Sequence, residues 1–509
     1  MNFKKLYQKA NDQIKADPAL VYLAKARAAD RPVRRFARIW LPISAAAVVS
    51  LVLCAVLLFH QAAGPVLLLK SPSSAAASEA ASSADSSSDV PQSSQADSAQ
   101  SAGTTDSSEP ESPADPPAIL PLNVIAEAPK LKSYRYQPLS SSFQSGYERF
   151  SYNAAATLLS RQEGKNRLIS PASLYLATAM LAEAAGGETR QELLTLLEAG
   201  SISQLRSQIP QFYENNYFDE KVGELKMTNS IWIKKGYSVR KSALERLAEQ
   251  YFASSHYADF GTAQAVRELQ SWLYENTNGL LGDEIPAAKD EETLFILLNT
   301  LYFRDQWEKD FKEDRNVTGD FRLESGGTAK ATYLTRSSGM KVAEGSGYKA
   351  IDLKMSHSSM RLVLPDEGVS AMELAASPER LAEIFGRQAE KDYEVDLWLP
   401  KFEITAESDL KRDLSLLGVT KAFDPREADF SSITGDPVFI GEAKQKAKIS
   451  VDEKGCEAAA YTYYAGKPTG TAPQELPKLT LHFDRPFLFA VMREDSPLFI
   501  GVVNTPAAQ

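Results

Sequence analysis

Residues 446–475 constrain the fold more than any other part of the chain. Residues 446–451 alternate polar with small or apolar side chains, the period of a half-buried strand. Asp452-Glu453-Lys454-Gly455 has the composition of a turn. Beyond it Cys456, Ala458, Ala460 and Thr462 are small and two residues apart. In a strand they would share one face and fit a tight gap between existing strands. Residues 465–473, however, are rich in Gly, Pro and Thr, the composition of a long exposed loop. A segment suited to both states predicts a two-state element. An ordinary surface loop after an edge strand shares this composition, so the flanking sequence must decide.

The N-terminal third has a different character. Residues 1–39 carry ten Lys or Arg against three Asp, a basic tail. Residues 40–60 are then uncharged and long enough in helical rise for a hydrocarbon core of about 30 Å, which predicts a transmembrane helix. Arg31, Arg34, Arg35 and Arg38 crowd its N-terminal side, so the expectation is a single-pass anchor with residue 1 in the cytoplasm and everything after Lys70 outside. Residues 61–140 read as a disordered linker of Ser, Ala, Pro and acidic residues. Within it, residues 71–118 contain no Lys, Arg or aromatic side chain and cannot offset ordering entropy by burial. A net charge of −10 carries no nucleic-acid signature. The two cysteines, Cys54 and Cys456, make no disulfide framework. Cys456 is expected to be accessible in the intact chain and to become buried only on insertion.

The folded region is expected at 141–506. Phe143, Tyr147, Phe150, Ala154, Thr157 and Leu158 fall at helical spacing. In Asn166-Arg167-Leu168-Ile169-Ser170-Pro171-Ala172-Ser173 a short strand breaks into a helix, with Ser170 as N-cap and Pro171 at the first helical position. Residues 174–185 have almost no polar face and should be buried, and residues 293–303 form a continuous apolar run of buried-strand type.

Several blocks then agree. Glu453-Lys454-Gly455-Cys456-Glu457-Ala458-Ala459-Ala460 resembles the hinge of the reactive-centre loop in the serpin family of protease inhibitors. Asn299-x-x-Tyr302-Phe303 with Trp307 and Phe311 resembles a second serpin block. Phe483-Asp484-Arg485-Pro486-Phe487-Leu488-Phe489 with residues 497–504 resembles the C-terminal signature. The resemblance implies an α+β serpin fold of three β-sheets and eight or nine helices, with an exposed reactive-centre loop at about 453–478. In this frame the chain reads as a membrane-anchored member of bacterial type.

The resemblance also assigns roles. Glu453, Gly455, Cys456, Ala458, Ala459, Ala460 and Thr462 form the hinge. Trp232 matches the tryptophan at the breach, where the loop first enters the sheet. Ser170 and Ser173 match the shutter, a polar cluster under that sheet, while Gln270 and Gln445 stand where the family carries its asparagine and histidine. Two glutamines can still bond each other, without histidine protonation. By family spacing the scissile bond is Thr469-Gly470, although the loop is about six residues longer than usual.

Catalysis is not expected. Of the histidines after the apolar run, His256, His357 and His482, none lies near a G-x-S-x-G elbow, and the chain has none. His482 sits in a strand pattern and is expected to pack in the core. No metal or cofactor motif appears. The implied function is extracellular suicide inhibition of a serine protease by a monomer. A small Thr469 or Ala472 suits an elastase- or subtilisin-like enzyme, with a cysteine protease as a further candidate. The alternative is a non-inhibitory surface binding protein of the same fold, and the small inward hinge residues favour the inhibitor.

Overall fold

The structure is a computed structural model that describes residues 65–70, 122–131, 136–160, 164–277, 293–386, 388–440, 443–456 and 475–506. Nine α-helices lie among them, and the strands join into two hydrogen-bonded sheets of nine.

The first sheet is the central one. Its strands in chain order are β1 (Pro65–Lys70), β2 (Asn123–Ala126), β3 (Gly223–Lys234), β4 (Ala253–Ala258), β5 (Thr293–Gln306), β6 (Phe402–Asp409), β7 (Ala443–Val451) and β8 (Gly455–Cys456). They run in space β1-β7-β8-β5-β3-β4-β2, with β6 beside β7, Phe218–Glu220 beside β3 and β1 also bonded to β5. All fourteen residues of β5 are buried, as its unbroken apolar run predicts. Pleating sends Phe295, Leu297, Leu301 and Phe303 into the main core. Ile296 and Leu298 go to the opposite face, into a second cluster with Trp232, Leu269 and Trp272.

Helix α1 (Ser141–Leu159) starts where the Ser140 hydroxyl accepts the Phe143 N–H at 3.3 Å. Helix α2 (Pro171–Ala184) has the Ser170 cap and Pro171 first turn read from sequence, and every one of its residues is buried. The two helices meet around Tyr175, whose ring takes Phe143, Tyr147 and Phe150 edge-on at 5.6, 5.3 and 5.0 Å. Such pairs contribute about 0.5–1.5 kcal/mol each beyond their buried area. Helix α3 (Ala263–Asn276) packs Leu269 and Trp272 onto the other face of the central sheet.

The second sheet runs Lys478–His482, Glu390–Pro400, Thr328–Gly345, Tyr348–Lys354, Ser359–Pro365, Phe487–Arg493, Ser496–Val503 and Arg167–Ile169, with Val317–Arg322 beside Thr328–Gly345. Thr328–Gly345 pairs with Glu390–Pro400 along much of its length and with Tyr348–Lys354 near its end. The second and third of the expected sheets are thus joined through one long strand.

Two N-terminal readings change. The stretch expected to be a disordered linker contributes β1, set between β5 and β7, and β2, paired with β4. The single-pass anchor, with a cytoplasmic N-terminus and the folded region outside, is corrected as well. No helix among the described residues is long and apolar enough to cross a membrane. The described chain nearest the apolar run is the strand β1, whose backbone is bonded to neighbouring strands and not within a helix. Residues 1–39 and 40–60 lie outside the described residues.

Candidate functional site

The hinge is built by one turn and two clamps. Asp452 accepts the backbone N–H groups of Lys454 and Gly455 on its carboxylate at 2.8 and 3.1 Å, folding the chain back after β7. Gly455 then faces Gln306 and Cys456 faces Asp305 on β5, while Cys456 also faces Val451 on β7. A Cβ on Gly455 would stand 2.2 Å from the Asp305 carbonyl oxygen, so only glycine lets the chain pass here. From the far side, Trp307 donates its backbone N–H to the Lys454 carbonyl at 2.8 Å and its indole N–H to the Asp452 carbonyl at 2.9 Å. The Phe311 N–H holds the Glu453 carbonyl at 2.8 Å.

Glu453 supplies the second clamp. Its carboxylate accepts two bonds from the Lys401 ammonium, both 3.0 Å, and one from the Asn316 amide. Burial alone would raise its pKa, but the Asn316 and Lys401 bonds prevail and hold the carboxyl below the ordinary glutamate value. A depressed native pKa stabilises the fold above the unfolded-state value, and that contribution is lost as pH falls through the native one. We expect Glu453→Gln to destabilise at neutral pH by about 1–3 kcal/mol, since it leaves Lys401 short of a charged partner. The gap to the parent should shrink below pH 4.5, the ordinary glutamate value. Denaturant titrations from pH 3 to 8 check this, and a gap independent of pH would exclude the ion pair as its cause.

The breach assignment moves. Trp232 faces Ile296, nine residues along β5 from the Asp305 that meets the hinge, or roughly 30 Å away. It stacks on His256 with centroids 4.5 Å apart and donates to the Ser230 hydroxyl at 2.9 Å, on the α3 side of the sheet. Trp307 is the tryptophan that bonds the turn at Asp452. It belongs to the Asn299–Phe311 block, but only strand pairing shows which end of β5 meets the hinge.

The polar cluster moves too. Ser173 donates to the Asn299 amide oxygen at 2.6 Å, the Asn299 amide N–H donates to Asn229 at 2.6 Å, and Asn229 donates to the Tyr251 carbonyl at 2.6 Å. Ser170 stands beside it, donating to the Leu498 carbonyl at 2.9 Å and accepting the Ser173 N–H. Gln270 belongs to α3, which packs on the opposite face of the sheet, so Asn299 takes the place predicted for it. Gln445 lies on β7 facing Pro65 in the strand register.

Cys456 is 1% exposed and packed in the main core. The expected accessible thiol is therefore corrected: the strand Gly455–Cys456 already lies between β5 and β7. In a Cys54→Ser background, Cys456 should react with a thiol reagent at least tenfold slower in the native protein than in denaturant. Rapid native labelling would show the hinge to be out of the sheet. Ala458, Ala459, Ala460, Thr462, Thr469 and Gly470 lie outside the described residues. Beyond them the Pro477 carbonyl accepts the Glu394 N–H at 2.9 Å, and Lys478–His482 runs parallel to Glu390–Pro400.

The histidines serve other partners. His357 bonds the fully buried Asp305 through its backbone N–H and its ring; that hydrogen bond, with Glu220 adding to it, raises its pKa. Burial lowers His256 to about 4. His482, also lowered by burial, packs against Tyr333 and Trp398.

A family model for the serpins, serine protease inhibitors, matches residues 145–506. Putative serpin-Z12 of Oryza sativa subsp. japonica is 30% identical over 381 residues, which cover 68% of this chain and 87% of the rice protein. Alpha-1-antiproteinase of Callosciurus caniceps is 27% identical over 369 residues, covering 70% of this chain and 87% of its own. Among solved structures, the native state of the thermophilic serpin tengpin is 25% identical with a TM-score of 0.64, covering 75% of this chain and 100% of tengpin. These likenesses span the hinge, the sheet that receives it and the C-terminal strands alike, and the chain belongs to the serpin family.

Proposed function

We propose that the protein is a suicide-type inhibitor of a serine protease. The protease serine attacks the Thr469 carbonyl, the Thr469-Gly470 amide breaks with Gly470 leaving as a protonated amine, and the enzyme is left as an ester of Thr469. The freed hinge strand then inserts between β5 and β7 and carries the acylated protease with it before water can hydrolyse the ester.

One observation supports this reading: Cys456 pairs with Asp305 on β5 and with Val451 on β7, and its side chain lies in the core. Strand alternation from Cys456 puts Ala458, Ala460 and Thr462 on that same inward face, and all three are small. Thr462 would face Asn299 and so bring a hydroxyl to the polar cluster. Relatives named as antiproteinases agree with protease inhibition in general. Thr469, or Ala472 nearby, suits an elastase- or subtilisin-like enzyme.

The test is incubation of the full chain with elastase, subtilisin, trypsin and papain, followed by denaturing gels and mass spectrometry of released peptides. A complex stable in denaturant with one of them, and release of the peptide beginning at Gly470, supports the proposal. Cleavage in the loop without any stable complex would favour a binding protein of the same fold.

A further inference from the structure

Strand β1 lies antiparallel to both β5 and β7. Val66 faces Leu298 on β5 and Lys444 on β7, and Leu67 faces Leu297 and Ala443, so the strand is bonded on both sides. The hinge strand β8 lies between the same two neighbours at the other end of the sheet, with Cys456 facing Asp305 and Val451.

The two registers coincide. Each residue added to β8 steps back by one along both neighbours. Position 463 would therefore face Leu298 and Lys444, the pair that Val66 faces now. Position 464 would face Leu297 and Ala443, as Leu67 does. Both neighbours independently return the same offset, which equates Pro65 through Leu69 with loop positions 462 through 466. Only positions 457–461 have room between Cys456 and β1.

We propose that Pro65–Lys70 is a built-in competitor of the loop, holding the lower half of the insertion slot until the cut hinge strand displaces it. The proposal rests on the insertion reading above. The competitor is well matched: Val66 and Leu67 to Leu69 stand against Tyr463, Tyr464, Ala465 and Gly466, and glycine and alanine are poor strand residues. It is also tethered. The 52 residues between Lys70 and Asn123 reach far beyond the four strand spacings, about 20 Å, from the slot to β2. β1 can leave and return without disturbing β2, and the connection keeps its local concentration high. In this arrangement the intact loop stops near position 461, and complete insertion follows release of β1.

The probe is a fluorescent synthetic peptide of residues 457–467, offered to the full-length protein. Leu67→Pro removes an N–H and should speed peptide uptake at least tenfold over the parent. A second variant pins the strand: Leu68→Cys with Ile296→Cys, in a Cys54→Ser, Cys456→Ser background, places two thiols on facing residues within disulfide reach. Its oxidised form should take up peptide at least tenfold slower than its reduced form. Failure of the disulfide to form under mild oxidation would overturn the proposal, because the register would not be populated. Equal uptake by every form would overturn it while leaving insertion intact. Uptake by none would overturn the insertion reading and the competition with it.

Discussion

Replacing Ala460 by Arg is expected to turn protease attack from formation of a stable complex into simple cleavage. Continuing the β8 register, position 460 would face Leu301, which is 1% exposed and points into the main core. An unpaired guanidinium there costs several kcal/mol even after relaxation. Every 1.4 kcal/mol that appears in the insertion barrier slows that step about tenfold. Acylation takes place at Thr469, nine residues further along the chain, so it should keep its rate and only the race with hydrolysis changes. We expect the ratio of complex to cleaved product to fall at least tenfold. Ala459→Glu is the control. Position 459 would face Lys448, whose ammonium already holds Glu403 at 2.7 Å, so a carboxylate there meets a cation. Equal complex from Ala460→Arg and the parent would mean that the register or the insertion step is wrong.

Asn299→Ala is expected to destabilise the native state by about 2–4 kcal/mol, the largest loss from any one substitution in the polar cluster. Asn299 is 2% exposed and joins Ser173 to Asn229, each of them at most 1% exposed. Its removal strands the Ser173 hydroxyl and the Asn229 amide oxygen at once, and each buried unsatisfied group costs about 1–3 kcal/mol. Ser173→Ala strands only the Asn299 oxygen and should cost less. Denaturant unfolding at pH 7 checks the order. A loss below 1 kcal/mol for Asn299→Ala would show that water replaces its bonds.

What could be read from sequence followed the range of each signal. Helix α2 and its Ser170 cap were legible because burial of a helix with no polar face is a local property. At the hinge a period of two predicts which residues share a face, and of these only Cys456, buried in the core, falls within the described residues. Trp232 and Gln270 were misplaced because the two faces and two ends of a sheet look alike until strands are paired. Trp307 and Asn299 stand in one sequence block, eight residues apart, and nothing in that block separates their roles. Both gain their roles from elements more than a hundred residues away, α2 and the turn at Asp452. β1 was hidden more deeply. Its six residues look like spacer beside an apolar run, and nothing local announces a vacancy between β5 and β7, more than two hundred residues downstream.

The anchoring of Lys478–His482 beside Glu390–Pro400 has a consequence for the fate of the cut chain. A break at Thr469-Gly470 leaves a C-terminal piece of 40 residues that contains Lys478–His482, Phe487–Arg493 and Ser496–Val503. Phe487–Arg493 is wedged between Ser359–Pro365 and Ser496–Val503, which in turn carries Arg167–Ile169. The small piece thus supplies three strands of the second sheet and is hydrogen-bonded to the large one through Glu390–Pro400, Ser359–Pro365 and Arg167–Ile169. Severed molecules should migrate as one body under native conditions and part into two bands only in denaturant, so the covalent chain is dispensable once the fold has closed around its own tail.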